Sequence, residues 1–276
     1  MKEQLKQIQK AELNILKEFI RICDKHNLRY YLVEGSLLGA VRHQGMIPWD
    51  DDIDVALFRD DYERFLNIAD QELRHPYILQ QFSHTNGYID YIAQIADTST
   101  CIESPYRRQV ERKPLWVDIF VIDGFPSGSL LQKLRKGQLL YRKLLMMWSN
   151  MEHYVVNRAK RPLYEKILIR VGDTLHTSRF LSTDRQLKKM DRAMRACDAA
   201  KTSLTVNFMS EYKWRTVFPT DWYGEGRMVP FADFTARIPN RAEDILTSIY
   251  GDYMQLPPED QRYKHSMTVI RLGEEV

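Results

Sequence analysis

Residues 50–58, Asp-Asp-Asp-Ile-Asp-Val-Ala-Leu-Phe, limit the possible folds of this chain more than any other stretch. Four aspartates in five positions, Asp50, Asp51, Asp52 and Asp54, lead straight into an apolar run. Side chains alternate across a strand. Ile53, Val55 and Leu57 therefore share one face, and Asp52, Asp54 and Ala56 share the other. A buried strand thus opens with two carboxylates about 6–7 Å apart, twice the rise per residue. Without a cation, one of the two would have its pKa pushed up strongly. Mg²⁺ or Mn²⁺ takes oxygen ligands and is held by one or two carboxylates together with substrate phosphates, which makes Asp52 and Asp54 candidate metal ligands. Asp50 and Asp51 by themselves read as a solvated acidic turn. An EF-hand is excluded, because Val55 stands where its loop needs glycine and Asp61 where it needs glutamate.

A third carboxylate, Asp118, interrupts the apolar strand Trp116-Val117-Asp118-Ile119-Phe120-Val121. If that strand neighbours the first, three carboxylates converge, and Asp118 serves as a metal ligand or takes a proton from an attacking hydroxyl. Upstream, Gly35-Ser36 follows a short strand (29–34) and opens a helix. Free backbone N–H groups at a helix start favour anions, and glycine lets a phosphate approach. A phosphate cradle beside a divalent cation is the expected site. Arg42 and His43, at the end of that helix, either touch the substrate's charge or cap the last carbonyls.

Amphipathic spacing predicts a helix over the first 27 residues, another over 60–73 and a third over 242–250. Strands are expected at 88–97, 115–124 and within 227–239, with a long helical stretch from about 129 to 200. This order predicts an α+β protein: a mixed β-sheet core flanked by helices, a helical insertion and a mixed α/β C-terminal part. The expected units are a catalytic core over 1–128, a basic helical segment over 129–200 and a mixed segment over 201–276 that completes the active site. The 276 residues have a net charge of +3, too small to announce a nucleic-acid partner. Cys23, Cys101 and Cys197 are few and far apart, which suits a reducing compartment. No apolar run of membrane-spanning length and no signal-peptide pattern is present, so a cytoplasmic location is expected. Between residues 130 and 180, eleven Lys or Arg face only Glu152, Glu165 and Asp173. Such a segment suits either a solvated helix face or peripheral contact with an anionic membrane at its inner surface.

The stretch EGSLLGAVRHQGMIPWDDDIDVALFRDDYERF (34–65) resembles the signature of the LicD family, within the nucleotidyltransferase (polymerase-beta-like) superfamily. VDIFVIDG (117–124) resembles its next block, and IP (238–239) with YGDYMQLPPEDQRYKH (250–265) its closing block. The resemblance implies a nucleotidyltransferase-like core and a phosphotransferase that uses a CDP-activated group. Carried over by motif, Asp52, Asp54 and Asp118 hold Mg²⁺ or Mn²⁺ and carry the catalysis. Gly35 and Ser36 cradle the diphosphate, and Asp252, Arg262 and His265 lie near the active site. The implied donor is CDP-choline, and the implied acceptor a glycan or lipid-linked oligosaccharide of lipopolysaccharide or teichoic acid. The alternatives are transfer of ribitol or glycerol phosphate, nucleotidyl transfer to a small molecule, and an inactive scaffold of a glycan pathway. A choline ammonium has no hydrogen-bond donors and is held by aromatic faces. Trp49, Trp116, Tyr88, Tyr91, Trp214, Trp222 and Tyr223 are the candidates for that role.

Overall fold

The computed structural model describes residues 2–104, 110–156, 161–259, 262 and 267–272. Helix α1 (Lys2–Lys25) opens the chain, followed by β1 (Tyr30–Leu32), α2 (Glu34–His43), β2 (Asp54–Phe58), α3 (Arg59–Glu72) and β3 (Tyr77–Gln80). Two long strands, β4 (Ala93–Ser104) and β5 (Glu111–Phe125), complete the centre. Helices α4 (Ser129–Ser149), α5 (Met151–Tyr154), α6 (Leu163–Thr174) and α7 (Thr183–Arg195) come next. The tail contains β6 (Leu204–Val206), β7 (Phe218–Pro219), the hairpin β8 (Arg227–Phe231) and β9 (Phe234–Ile238), α8 (Ala242–Tyr250) and β10 (Thr268–Arg271). The α+β class expected from the sequence is the observed one.

One mixed sheet runs β1-β2-β5-β4-β10, with β3 also on β4, and with β6 on the end of β5 and β7 on β6. Among the described residues only β2 and β5 pair in parallel; the other pairs of this sheet are antiparallel. Segment 201–276 thus shares the sheet of residues 1–128 through β6 and β10. Helix α1 lays Ile8, Ile15, Leu16, Phe19, Ile22 and Cys23 into the core, the i, i+3/i+4 stripe of an amphipathic helix. Val55, Ala56 and Leu57 of β2 and Val117, Ile119, Val121 and Ile122 of β5 are buried in the same cluster. A strand covered on both faces gives a continuous apolar run, as in 55–58.

Several boundaries differ from the sequence expectation, three of them next to the acidic loop or on the central strands. The first strand stops at Leu32, because Glu34 takes a left-handed conformation (φ 52°) and turns the chain directly into α2. Gly35 and Ser36 therefore lie inside the first helical turn. The strand expected from Asp52 starts at Asp54, although Asp118 N–H already donates to Ile53 O at 3.0 Å. The strand expected at 88–97 starts at Ala93, after a turn in which Tyr88 OH donates to Ile92 O at 3.1 Å. Among the described residues no helix is long and apolar enough to cross a membrane.

Candidate active site

Parallel pairing of β2 with β5 sets Asp54 directly opposite Asp118. The juxtaposition expected from two separate strands is therefore built by register. Asp54 is buried and Asp118 half-buried. Burial, then Asp52, Glu34, Asp118 and Asp50, push the Asp54 carboxyl well above the usual carboxylate range. Burial likewise raises Asp118 to about 6, against the pull of hydrogen bonds from Gln94 and Trp116. Gln94 faces Asp118 across the β4–β5 pair, and its amide donates to Asp118 Oδ1 at 2.7 Å. Asp118 is thus fixed between a carboxylate on one neighbouring strand and an amide on the other.

The loop before β2 adds more acid. Oxygens of Asp50, Asp51 and Asp52 lie within 4.8 Å of one another. Asp51 is buried and Asp50 half-buried, so the solvated turn expected for this pair is corrected: the two pack against the site. Gln9 in α1 anchors the loop, its amide donating to Ile47 O at 3.0 Å and Asp50 O at 2.8 Å. One turn along α1, Glu12 is 1% exposed, and its Oε2 has no hydrogen-bond partner. Burial first, then Asp52, Asp51, Asp50 and Asp118, push the Glu12 carboxyl well up. Glu34 is raised to about 7, first by burial and then by Glu211, Asp52 and Asp118, while a Ser210 hydrogen bond lowers it.

The donor set is all oxygen and excess negative charge, and it includes an orphaned buried carboxylate atom. These features suit a hard divalent cation.

Ser36 holds the site from below. Its Oγ accepts the Asp54 backbone N–H at 2.8 Å, so the first turn of α2 sets the height at which β2 begins. A Cβ on Gly35 would stand 2.8 Å from Asp50 Oδ2; glycine there lets helix and acidic loop close together. Arg42 and Arg262 approach the Trp49 ring, their guanidinium carbons 5.9 and 4.6 Å from its centroid. Arg42 also donates to Tyr253 O at 2.7 Å. Gly35, Glu34, Arg42, Trp49, Asp252 and the five aspartates Asp50, Asp51, Asp52, Asp54 and Asp118 line one cavity of about 1550 Å³. His265 lies outside the described residues. Of the aromatic candidates for a head group, Trp49, Tyr91, Trp116 and Trp214 line that cavity. Tyr223 packs instead on Tyr31 and Phe58, and Trp222 stacks on Phe218.

Sequence reasoning passed over Glu12, Glu34, Gln94 and the pair Tyr212–Tyr250, whose rings meet at 5.3 Å in the cavity wall. Glu12 had a legible signal. It sits four residues after Ile8 and three before Ile15, on the buried stripe of its helix.

Residues 27–124 match the family model described as LicD/FKTN/FKRP, nucleotidyltransferase domain. The lipopolysaccharide cholinephosphotransferase LicD of Haemophilus influenzae is 30% identical over 273 residues, 95% of each chain. The human ribitol 5-phosphate transferase FKRP is 42% identical over 53 residues, which is 18% of this chain and 11% of that protein. An uncharacterized protein of Rickettsia prowazekii, RP689, is 30% identical over 114 residues, 41% of this chain and 39% of its own length. With alignment to the Haemophilus protein running almost end to end, and the family domain falling on the strands that carry the carboxylates, the chain belongs to the LicD family.

Proposed function

We propose that this protein transfers phosphocholine from CDP-choline to a sugar hydroxyl of a cell-surface glycan precursor and releases CMP. The observation that carries this reading is the facing pair Asp54–Asp118 at the base of one large cavity, in a chain aligned over 95% of its length with a lipopolysaccharide cholinephosphotransferase.

Asp52 and Asp54 would hold Mg²⁺ or Mn²⁺, with Asp118 beside them. A cation there supplies neutralising charge for the diphosphate and the departing CMP. The chain's own residues do the positioning. The start of α2, with Gly35 in its first turn, would favour an anion, and Ser36 fixes Asp54 beside it. Arg42 and Arg262 bring positive charge to the cavity rim around Trp49. The acceptor hydroxyl attacks the phosphorus that bears choline. A new P–O bond forms as the bond to CMP breaks, and the hydroxyl proton passes to a base. Asp118, held opposite Asp54 and oriented by the Gln94 amide, takes that role. Most of the acceleration comes from alignment and charge stabilisation, as in phosphoryl transfer generally.

The test follows CMP release from CDP-choline with Mg²⁺ and a glycan acceptor. The expected result is turnover that needs both metal and acceptor and falls at least about 10²–10³-fold in Asp54→Asn. Pyrophosphate in place of CMP would overturn the reaction type. CMP from CDP-ribitol but none from CDP-choline would overturn the head group and favour the chemistry in the FKRP name.

A further inference from the structure

Apolar surface is concentrated in one part of the molecule. Of the seventeen exposed large apolar side chains among the described residues, eleven fall between residues 130 and 180. Helix α6 carries the clearest case. Leu163, Ile167 and Val171 recur at i, i+4 and i+8, which puts them on one stripe. Their exposures are 73%, 54% and 37%. A water-facing helix normally shows polar residues there. Lys166 and Arg170 fall on the same side of the helical wheel, and both are exposed. Leu175 and Phe180 continue the exposed apolar surface past the end of the helix.

The opposite side of α6 is occupied. Ile169 is buried with Met151 and Val155, and Met147 and Trp148 pack on that cluster. A Cβ on Gly172 would come within 2.4 Å of Met151 Sδ, so only glycine allows this close approach. Glu165, Leu168 and Ile169 line the same cavity as Asp54 and Asp118. One helix is therefore a cavity wall on its inner side and an apolar ridge with a basic fringe on its outer side.

An apolar ridge flanked by cations matches the boundary between acyl chains and anionic headgroups. The charge of the whole segment agrees, with eleven Lys or Arg against three acids between residues 130 and 180. We propose that the outer face of α6 docks on an anionic lipid leaflet, so that an acceptor carried on a lipid enters the catalytic cavity along the inner face of the same helix. The docking half stands on the surface alone, while the delivery half rests on the phosphotransferase reading above.

The test is co-sedimentation of the full chain with vesicles of phosphatidylglycerol in phosphatidylcholine, and with phosphatidylcholine alone. Binding to the anionic vesicles only, weakening as salt rises, is expected. Lys166→Glu with Arg170→Glu should lower partition about 30-fold or more. Leu163→Ser with Ile167→Ser should also release the protein, with an unchanged melting temperature, since these side chains are already exposed. Turnover on a soluble acceptor fragment should survive both changes, and turnover on a vesicle-borne acceptor should fall. Absence of sedimentation at low salt would overturn the proposal. So would equal binding by the variants, or a stable dimer in light scattering that Leu163→Ser with Ile167→Ser dissolves. Vesicle binding without any CMP release would leave the docking intact and remove the phosphotransferase reading.

Discussion

The paired strands β2 and β5 carry aspartate at both ends, and the two ends are wired in opposite ways. At the entrance Asp54 faces Asp118, with Asp50, Asp51, Asp52, Glu34 and Glu12 around them, and acid raises the pKa of acid. Five residues further along, Arg59 follows β2 and forks onto Asp123 of β5, Nε to Oδ1 at 2.8 Å and Nη2 to Oδ2 at 2.6 Å. Its Nη1 reaches Asp191 of α7 at 3.0 Å, and Tyr91 OH donates to the same carboxylate at 2.9 Å. Arg195 closes the network onto Asp191 and Glu63. One end is a finished ion-pair network that ties the helical segment to the sheet. The other is a cluster of acids that raise one another's pKa, a repulsion that a bound cation would relieve.

Removing one carboxylate should therefore have opposite consequences at the two ends. Asp123→Asn leaves a nearly buried guanidinium short of its partner, and such losses cost about 3–5 kcal/mol. Chemical denaturation should show that loss, while the protein that remains folded keeps its transfer activity. Asp54→Asn should do the reverse, abolishing turnover while leaving the metal-free protein as stable as the parent or more so. Equal destabilisation by both changes would break the comparison.

The second consequence is a pH dependence confined to the entrance. Folding raises Asp118 to about 6 and Glu34 to about 7, above their ordinary carboxylate values. A carboxyl raised by folding binds its proton more tightly in the folded state. Its contribution is complete below the unfolded pKa, near 4, and is lost as pH rises through the folded value. Metal-free protein should thus lose stability between about pH 4 and pH 7. Mg²⁺ should restore it, and its effect on the melting temperature should be larger at pH 8 than at pH 5. A melting temperature indifferent to Mg²⁺ at pH 8 would count against a cation at this site.

The contrast also explains how much was legible beforehand. Asp54 could be placed because strand alternation is local, whereas Asp52, expected on the same strand face, lies in the loop before β2; Asp118 stood out as one charge inside an apolar strand. Their meeting depended on β2 and β5 being neighbours, which no local pattern states. Gln94 is polar in an ordinary strand pattern and gains its role only from the β4–β5 register. Arg59, Asp123 and Asp191 look like surface charges at element ends, and 132 positions separate Arg59 from Asp191. The short strands β3, β6, β7 and β10 were passed over for a related reason. Each is four residues or fewer and exists through its partner. The helices, whose hydrogen bonds are local, were read closely; α8 matches its expected span, 242–250.

The smallest effect concerns Ser36, where the acidic end meets the helix that supports it. Its Oγ accepts the Asp54 N–H at 2.8 Å, and both residues are buried. Ser36→Ala deletes that acceptor from a buried donor, a loss of about 1–3 kcal/mol. The same hydroxyl retains its own proton, which is free to go to a phosphate oxygen at the helix start. If it does, the substitution should raise KM for the donor about tenfold beyond any fall in kcat, the equivalent of one hydrogen bond of about 1.4 kcal/mol. A loss of stability with an unchanged donor KM would confine Ser36 to positioning the strand. The acidic end would then rely on the Gly35 backbone and the cation for its hold on the diphosphate.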